Sequence, residues 1–571
     1  MMLMRYLALA CDYDGTLSGP TGVDAAVIDA LERFRNAGKS LILVTGRELE
    51  GLLRVFPHIR LFDCVVAENG ALVYRPEGRE IRILGKAPPE DFLSDLRARG
   101  VRPLSAGRVI VSTREPHEKE IIQSIRELGL ELQIIFNKGA VMVLPAGLNK
   151  AVGLRAAVRE LGLSVHNTAG IGDAENDFSF LDDCELSVAV SSALPMLKSR
   201  VDFVTRGEAG EGVIETIDAL LSAVPEDKLR PAPGRHEISI GVKADGARVC
   251  FDPYAANIML AGTSGSGKST LALSLMERLI ARDYQVCVID PEGDYGEVAG
   301  MVQAGSAAAP PDLKQTFTLL EEPDYNVVIN LMALEREARP AFFDDLFFRL
   351  LELRNRTGRP HWIIADEAHH LFPSGRPGSG SGFLRKAFGV MWITVHPEHV
   401  SKQVLALNNM IIAVGETREG TIRAFSRAAG AKAPGEFPLQ SAEEALVWRP
   451  GEIHAYSFCP YSPRAERRRH SKKYAEGELP PDRSFYFTGP GGKLKLRAQN
   501  LFLFIQTAEG VDNETWVHHL RSGDVSRWFR ESIKDDELAD EAREIEQSDL
   551  NALVSRDRIR RAIERRYTLP A

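Results

Sequence analysis

Short apolar runs that stop at polar, chemistry-bearing residues dominate the hydropathy pattern. Leu7-Ala8-Leu9-Ala10-Cys11 ends on Asp12, Leu41 to Val44 on Thr45, and Ala256 to Ala261 on Gly262. Later, His361 to Ala365 ends on Asp366, Val390 to Val395 on His396, and Met410 to Val414 forms another such run. Each has the length of a buried strand, whereas Leu271 to Ile280 carries apolar residues at helical spacing. The pattern predicts an α/β chain.

The punctuation between these runs divides the chain. Residues 223–234 are a proline-rich polar connector, and His236 to Phe251 alternates like a hairpin leading into a second core. Residues 373–382 are too rich in Gly, Pro and Ser for regular structure; with Arg376, Arg385 and Lys386 nearby, they read as a flexible or substrate-touching loop. A second boundary lies near 464–478, where six basic residues from Arg464 to Lys473 form a run that is either solvated or tracks phosphates. Beyond it, a short strand at Phe485 to Phe487 precedes helices around 499–509, 514–520 and 526–538, with Trp516 and Trp528 expected in their core. The expected domains are 1–224, 235–460 and 483–571, with no internal repeat.

Residues 262–269 read Gly-Thr-Ser-Gly-Ser-Gly-Lys-Ser between a predicted strand and a predicted helix. Glycines at 262, 265 and 267 let consecutive N–H groups curl around phosphate oxygens, Lys268 reaches the β- and γ-phosphates, and Ser269 can hold Mg²⁺. Gly262, Thr263, Ser264, Gly265, Ser266, Gly267, Lys268, Ser269, Thr270 and Asp366 are the expected ATP-binding residues. Asp366 would join the Mg²⁺ shell, and Glu367 would polarise the attacking water. That second acid favours an ATPase over a kinase.

The N-terminal strand delivers Asp12 and Asp14 two residues apart, with Gly15 allowing a sharp turn. One carboxylate can attack phosphorus while the other handles the leaving group's proton. Thr45 in Leu41 to Arg47, Lys150 in Gly147 to Lys150, and Asp173 with Asp177 in Gly172 to Asp177 follow in order.

Those four segments resemble the motifs of the haloacid dehalogenase superfamily, and Ala67-Glu68-Asn69-Gly70-Ala71 with residues 188–221 is similar to its Cof-like branch. The resemblance implies a Rossmann-like domain with an α+β cap at about 76–146. It makes Asp12 the nucleophile, Asp14 the general acid/base, Thr45 and Lys150 stabilisers of the phosphoryl group, and Asp12, Asp14, Asp173 and Asp177 the Mg²⁺ site. The loop at 262–269, Ile289 to Tyr295, Asp366-Glu367-Ala368-His369 and Val390 to Pro397 resemble the HerA/FtsK group of ring ATPases, closest to HerA. This implies a RecA-like P-loop domain, followed here by a small, mainly helical module. It departs from the pattern at His396, where a γ-phosphate-sensing Gln is usual. By the same resemblance a neighbouring subunit donates an arginine, for which Arg418, Arg423 and Arg427 are candidates and Arg418 the first choice. His369 and His370 have no partners at zinc spacing and read as ordinary histidines.

Composition adds limits. The 571 residues, 44% hydrophobic and 26% charged, suit two or three globular domains. A net charge of -9 speaks against a surface that coats nucleic acid, so DNA contact would come from local patches or a ring pore. The six cysteines show no paired metal spacing, no apolar run reaches membrane-spanning length, and the first residues lead directly into the Asp12 strand; the expectation is a cytoplasmic protein without membrane contact. The preferred reading is a bifunctional hydrolase using Mg²⁺ and ATP: a phosphomonoester phosphatase fused to an ATPase that moves or remodels DNA as a homo-oligomeric ring, a hexamer. The alternatives are a sugar-phosphate phosphatase with a regulatory ATPase domain, and a polynucleotide kinase/phosphatase.

Overall fold

The computed structural model describes residues 6–222, 231–232, 234–263, 266–296, 298–375, 388–438, 441, 444–463, 479, 484–533 and 535–567. Two compact units emerge: Met1–Lys268 with Arg278–Gly296 and Gly300–Pro460, and Ser269–Glu277 with Glu297–Ala299 and Tyr461–Ala571. The first unit contains two large sheets.

The N-terminal sheet runs in the order Phe203–Val204, Leu186–Ala189, Thr168–Gly172, Ala8–Asp12, Ser40–Val44, Cys64–Ala67, Leu72–Arg75, Glu80–Ile83. Its first six strands are parallel. Ala8–Asp12 is buried throughout, which is why it reads as a continuous apolar run rather than an alternation. Helix Ala25–Asn36 buries Val27, Ala30, Leu31 and Phe34, one stripe at helical period. The cap has its own antiparallel sheet, in the order Ser105–Ala106, Val111–Arg114, Ala140–Pro145, Leu132–Asn137, with helices Glu90–Ala98 and Glu118–Glu127 and a core that includes Phe92, Leu96, Ile121 and Val143. Glu80–Ile83, which falls inside the expected cap, instead pairs with Leu72–Arg75 on the main sheet. The cap's own elements therefore run from Glu90 to Pro145.

In the second sheet, strand Asn257–Gly262 lies between Met410–Val414 and Val390–Thr394, with Trp362–Ala365 and Val286–Asp290 beyond the latter, all parallel. Ile238–Val242 and Arg248–Phe251 form the hairpin expected from their alternation and extend the sheet antiparallel. Helix Arg339–Thr357 buries Phe343, Phe347 and Leu350, and stops at Gly358 in the left-handed conformation.

The two sheets are joined by Arg359, which is 1% exposed. Its guanidinium donates to the carbonyls of Gly162, Leu320 and Glu321 and to Gln285 Oε1, at 2.6–3.3 Å. Five donors are thus absorbed by neutral acceptors, and burial pushes Arg359 down to about 10. Tyr254 Oη donates to the His166 carbonyl (2.5 Å) and accepts from Asn167 Nδ2 (3.2 Å).

In the second unit, hairpin Phe485–Phe487/Leu496–Ala498 packs with helices including Leu501–Gly510, Asn513–Arg521, Asp536–Gln547 and Ala552–Tyr567. Trp516 and Trp528 are buried there, and Trp516 Nε1 donates to Ser555 Oγ at 2.9 Å. The predicted helix 526–538 is broken: Asp524–Trp528 gives way to a π-turn at Phe529–Ile533, which lets Asp535 cap the next helix. Among the described residues no helix is long and apolar enough to cross a membrane. The 373–382 loop from residue 376, with Arg385 and Lys386, the 464–473 basic run and most of the 223–234 connector lie outside the described residues.

His361 generates a pH prediction. It is buried, its Nδ1 accepts the Gln285 N–H at 2.8 Å, and burial pushes it well below its ordinary value. The unfolded chain takes up a proton near pH 6.5 that the folded chain refuses, so stability falls as pH drops below about 6.5, by about 1.4 kcal/mol per pH unit for this histidine. His361→Asn, which retains an acceptor but does not titrate, should remove that share of the slope in urea midpoints measured between pH 7.5 and 5.5. An unchanged slope would show that His361 is not held neutral.

Candidate active sites

The N-terminal site lies at the carboxyl ends of adjacent parallel strands, where an open α/β sheet presents chain ends and turns to a ligand. Asp12 ends the central strand, Thr45 follows Ser40–Val44, and Asp173 follows Thr168–Gly172. Lys150 opens helix Lys150–Glu160, whose N-cap Asn149 accepts from the Val152 N–H. Gly70 (φ +96°) makes this possible: a Cβ there would sit 1.8 Å from the Asn149 carbonyl oxygen. Gly15 (φ +85°) is similarly required, because its Cβ would lie 2.3 Å from Asp173 Oδ2.

Lys150, 1% exposed, places Nζ 2.6 Å from both Asp12 Oδ1 and Asp177 Oδ1. The other oxygen of Asp177 accepts the N–H groups of Asp173 and Ala174, both at 2.9 Å. Carboxylate oxygens of Asp12, Asp173 and Asp177 lie within 4.8 Å of one another. Burial, reinforced by Asp177, pushes Asp12 well above the usual carboxylate range, against the pull of Lys150. Burial alone would lower Lys150, but Asp12 and Asp177 override it and hold the ammonium above its ordinary value. Three buried carboxylates sharing one space are tolerable only with cations among them. The donor set is entirely hard oxygen, which fits Mg²⁺.

Asp14 is outside that trio. Its carboxylate is gripped through both oxygens by Arg47, at 2.6–3.0 Å, and remains about half exposed. The carboxylates that converge are those of Asp12, Asp173 and Asp177, while the Asp14 carboxylate pairs with Arg47 instead. Thr45 is fully buried, and its Oγ1 accepts the Arg47 N–H at 3.1 Å.

The cap contributes two contacts that the motifs do not reveal. Lys138 at the tip of hairpin Leu132–Asn137/Ala140–Pro145 reaches Asp173 Oδ2 at 2.5 Å. Its turn has Lys138 at φ +48° and Gly139 at +79°, the tight two-residue type that alternating strands around a Lys-Gly pair could have signalled. Glu68, fully buried, accepts the N–H groups of Arg108, Val109 and Ile110 at 2.7–3.0 Å and ties the cap to the main sheet.

The second site also lies at strand ends. Lys268 Nζ donates to the Thr263 carbonyl at 3.0 Å; burial lowers its proton affinity, opposed by Glu367, Asp366 and Glu292. Asp366 is buried and accepts the Glu367 N–H at 2.8 Å, and burial pushes it up to about 7. Glu367 has a left-handed backbone (φ +46°) and is likewise raised by burial, then by Glu292. Gly262, Thr263, Ser266, Gly267, Lys268, Ser269 and Thr270 are described, whereas Ser264 and Gly265 lie outside the described residues. Asp290, fully buried at the end of Val286–Asp290, accepts backbone N–H groups of Glu292, Gly293, Asp294 and Tyr295 at 2.7–3.2 Å, shaping the loop that carries Glu292.

His396 is exposed just beyond Val390–Thr394, with Nδ1 3.3 Å from Glu398. The expectation that His369 and His370 lack ligand partners misses a spatial one: ligand atoms of Glu367, His369 and His370 lie within 4.8 Å of each other. Burial pushes His369 down to about 4. Arg418 needs a correction. It is 6% exposed and donates to the Glu444 carbonyl of its own chain, so it is not presented to a neighbour. Arg423 and Arg427 on the same helix, Arg418–Ala429, are exposed, with Arg423 paired to Glu419 at 2.8 Å.

Comparison with known proteins matches residues 9–96 and 101–217 to the haloacid dehalogenase-like hydrolases, and residues 238–345 to the central domain of helicase HerA. Similar curated proteins include a phosphoglycolate phosphatase of Metallosphaera sedula, 30% identical over 224 residues that cover 38% of this chain and 98% of the relative. Another from Methanothermobacter thermautotrophicus is 29% identical over 219 residues, 37% of this chain and 96% of the relative. A solved haloacid dehalogenase-like hydrolase from Bacteroides thetaiotaomicron is 19% identical with a TM-score of 0.34, covering 38% of this chain and all of that one. Through its N-terminal part the chain belongs to the haloacid dehalogenase-like hydrolases, and that domain is fused to one similar to the central domain of helicase HerA.

Proposed function

We propose that the chain is a Mg²⁺-dependent phosphomonoesterase and an ATPase in one polypeptide, its phosphatase site taking a small phosphomonoester that also bears a carboxylate. The observation that carries the phosphatase half is Lys150 held between Asp12 and Asp177 beneath the cap. Asp12 attacks phosphorus, the ester oxygen departs with a proton from Asp14, whose carboxyl must first leave Arg47 and take up that proton, and an aspartyl phosphate is left on Asp12. Water, losing its proton to Asp14, then attacks that phosphorus and releases inorganic phosphate. Lys150 and Thr45 face the phosphoryl oxygens. Asp12, Asp173 and Asp177 would hold Mg²⁺, which would supply charge neutralisation at the phosphoryl group.

The substrate class is supported by relatives named phosphoglycolate phosphatase, matched over almost their whole length. Lys138 at the cap hairpin tip pairs with Asp173, and it is the cation we assign to the substrate carboxylate once it exchanges that partner. In the ATPase half, the P-loop residues from Gly262 to Thr270 would bind the nucleotide, Ser269 and Asp366 would hold Mg²⁺, and Glu367 would activate water. The match to the central domain of helicase HerA supports work on DNA; we assign that work to a hexameric ring, with exposed Arg423 or Arg427 the candidates for completing a neighbour's site. A metabolic role for the phosphatase, with the ATPase regulating it, is the second reading and is favoured by the same phosphoglycolate phosphatase relatives.

Asp12→Asn should abolish ester hydrolysis and spare ATP turnover, while Lys268→Ala should do the reverse; loss of both activities from either folded variant would mean one site serves both. Glu367→Gln should still bind ATP but hydrolyse it about a hundredfold or more slowly, since an amide accepts no proton from water. Parental turnover would remove Glu367 from the mechanism. In a panel of 2-phosphoglycolate, sugar phosphates and 3′-phosphorylated oligonucleotides, Lys138→Ala should raise KM about ten- to a hundredfold for phosphoglycolate and little for esters lacking a carboxylate, as expected for one lost charged hydrogen bond. Equal effects across the panel would refute carboxylate recognition.

A further inference from the structure

His166, Glu185 and His236 come together far from both phosphoryl-transfer sites. His166 lies in the turn Val165–Asn167 that precedes strand Thr168–Gly172, and Glu185 directly precedes its parallel neighbour Leu186–Ala189. Both are therefore at the amino ends of these strands, opposite the ends that carry Asp173. His236 arrives just before Ile238–Val242, on the way into the second sheet. Glu185 is fully buried, His166 is 6% exposed, and His236 is half-buried.

The ring nitrogens fix the chemistry. His166 Nε2 is 2.6 Å from the Arg282 carbonyl oxygen, and His236 Nε2 is 3.1 Å from that of Glu185. A carbonyl only accepts, so both Nε2 atoms carry the proton. In the neutral rings both Nδ1 atoms then present lone pairs, and both face Glu185 Oε2, at 3.1 and 3.9 Å. Metal-binding histidines show this outer pattern, in which a backbone carbonyl fixes the tautomer and aims the other nitrogen at the ion. The three ligand atoms lie within 4.8 Å of one another, and a tetrahedral zinc site with bonds near 2.05 Å has ligand–ligand edges of about 3.3 Å.

The neighbouring groups are engaged elsewhere. Arg235, next in sequence to His236, is bound by Asp202 and by the carbonyls of Leu181 and Cys184. His361 meets His166 edge-on at 5.6 Å, but its Nδ1 is committed to the Gln285 N–H. Tyr284 stacks flat on the His166 ring at 3.8 Å. Burial lowers the proton affinity of His236, favouring the neutral ring that a metal requires.

We propose that His166, His236 and Glu185 bind a transition-metal dication, zinc by their donor chemistry, which pins the phosphatase sheet to the start of the ATPase sheet. Separations of 19 and 51 residues hide this set from any local spacing motif.

The test uses the full-length protein, stripped with chelator, loaded with zinc alone and desalted. One equivalent of zinc should be retained, and it should persist in an Asp12→Asn/His369→Ala variant, which impairs the other two clusters. It should fall below a tenth of an equivalent in His236→Ala and in Glu185→Gln, with folding checked by circular dichroism and sizing. If those variants misfold, zinc-edge X-ray absorption of the loaded parental protein should show two imidazole ligands at this single site. Zinc retained equally by folded His236→Ala overturns the proposal. So does failure of the parental protein to retain zinc, which would mean that a proton alone bridges these lone pairs, or an absorption spectrum without imidazole.

Discussion

Lys150 is the constraint on which the phosphatase site depends. Asp12, Asp173 and Asp177 converge because a parallel sheet delivers consecutive strand ends to one place, and burial there works against every negative charge. The ammonium of Lys150, at 2.6 Å from two of the three, makes the convergence compatible with a folded chain. Lys138 adds a second cation from the cap, at the third carboxylate. The packing that aims Lys150 is correspondingly tight, with Gly70 leaving no room for a side chain beside the Asn149–Lys150 peptide.

The ATPase site meets the same problem with a different balance. Asp366 and Glu367 end one strand, Asp290 the next, and Lys268 is the cation facing them. Asp290 spends its charge on four backbone N–H groups, whereas Asp366 accepts the Glu367 N–H and is raised to about 7. A metal–nucleotide complex would relieve that crowding, so the site is poised for a ligand rather than for internal neutrality. Between the two sheets, Arg359 solves the converse problem: a buried cation whose hydrogen bonds all go to carbonyl and amide oxygens, with Glu321 and Glu322 near enough to favour its charge.

Much of this was legible because strand and chemistry coincide in sequence. The runs before Asp12, Thr45, Gly262 and Asp366 form strands, since a fully buried parallel strand needs continuous apolar sequence. Residues that act from elsewhere were not legible. Lys138 is an ordinary lysine in a turn until the cap folds over Asp173, and Arg47 sat inside a recognised motif without its grip on Asp14 being readable. Arg418 was misjudged because sequence places it at the start of a helix but does not say that its guanidinium turns inward to Glu444. The histidines at 166 and 236 gain meaning only from the adjacency of two strand ends and a connector.

The central claim is that the chain runs one covalent and one non-covalent phosphoryl-transfer reaction at separate sites. The direct measurement is borohydride reduction of protein quenched during turnover, followed by peptide mass mapping. With a phosphomonoester as substrate, reduction should convert the aspartate at position 12 to homoserine; with ATP alone, no aspartate should be converted. A reduced residue elsewhere under the ester, or reduction of Asp12 driven by ATP, would contradict the account.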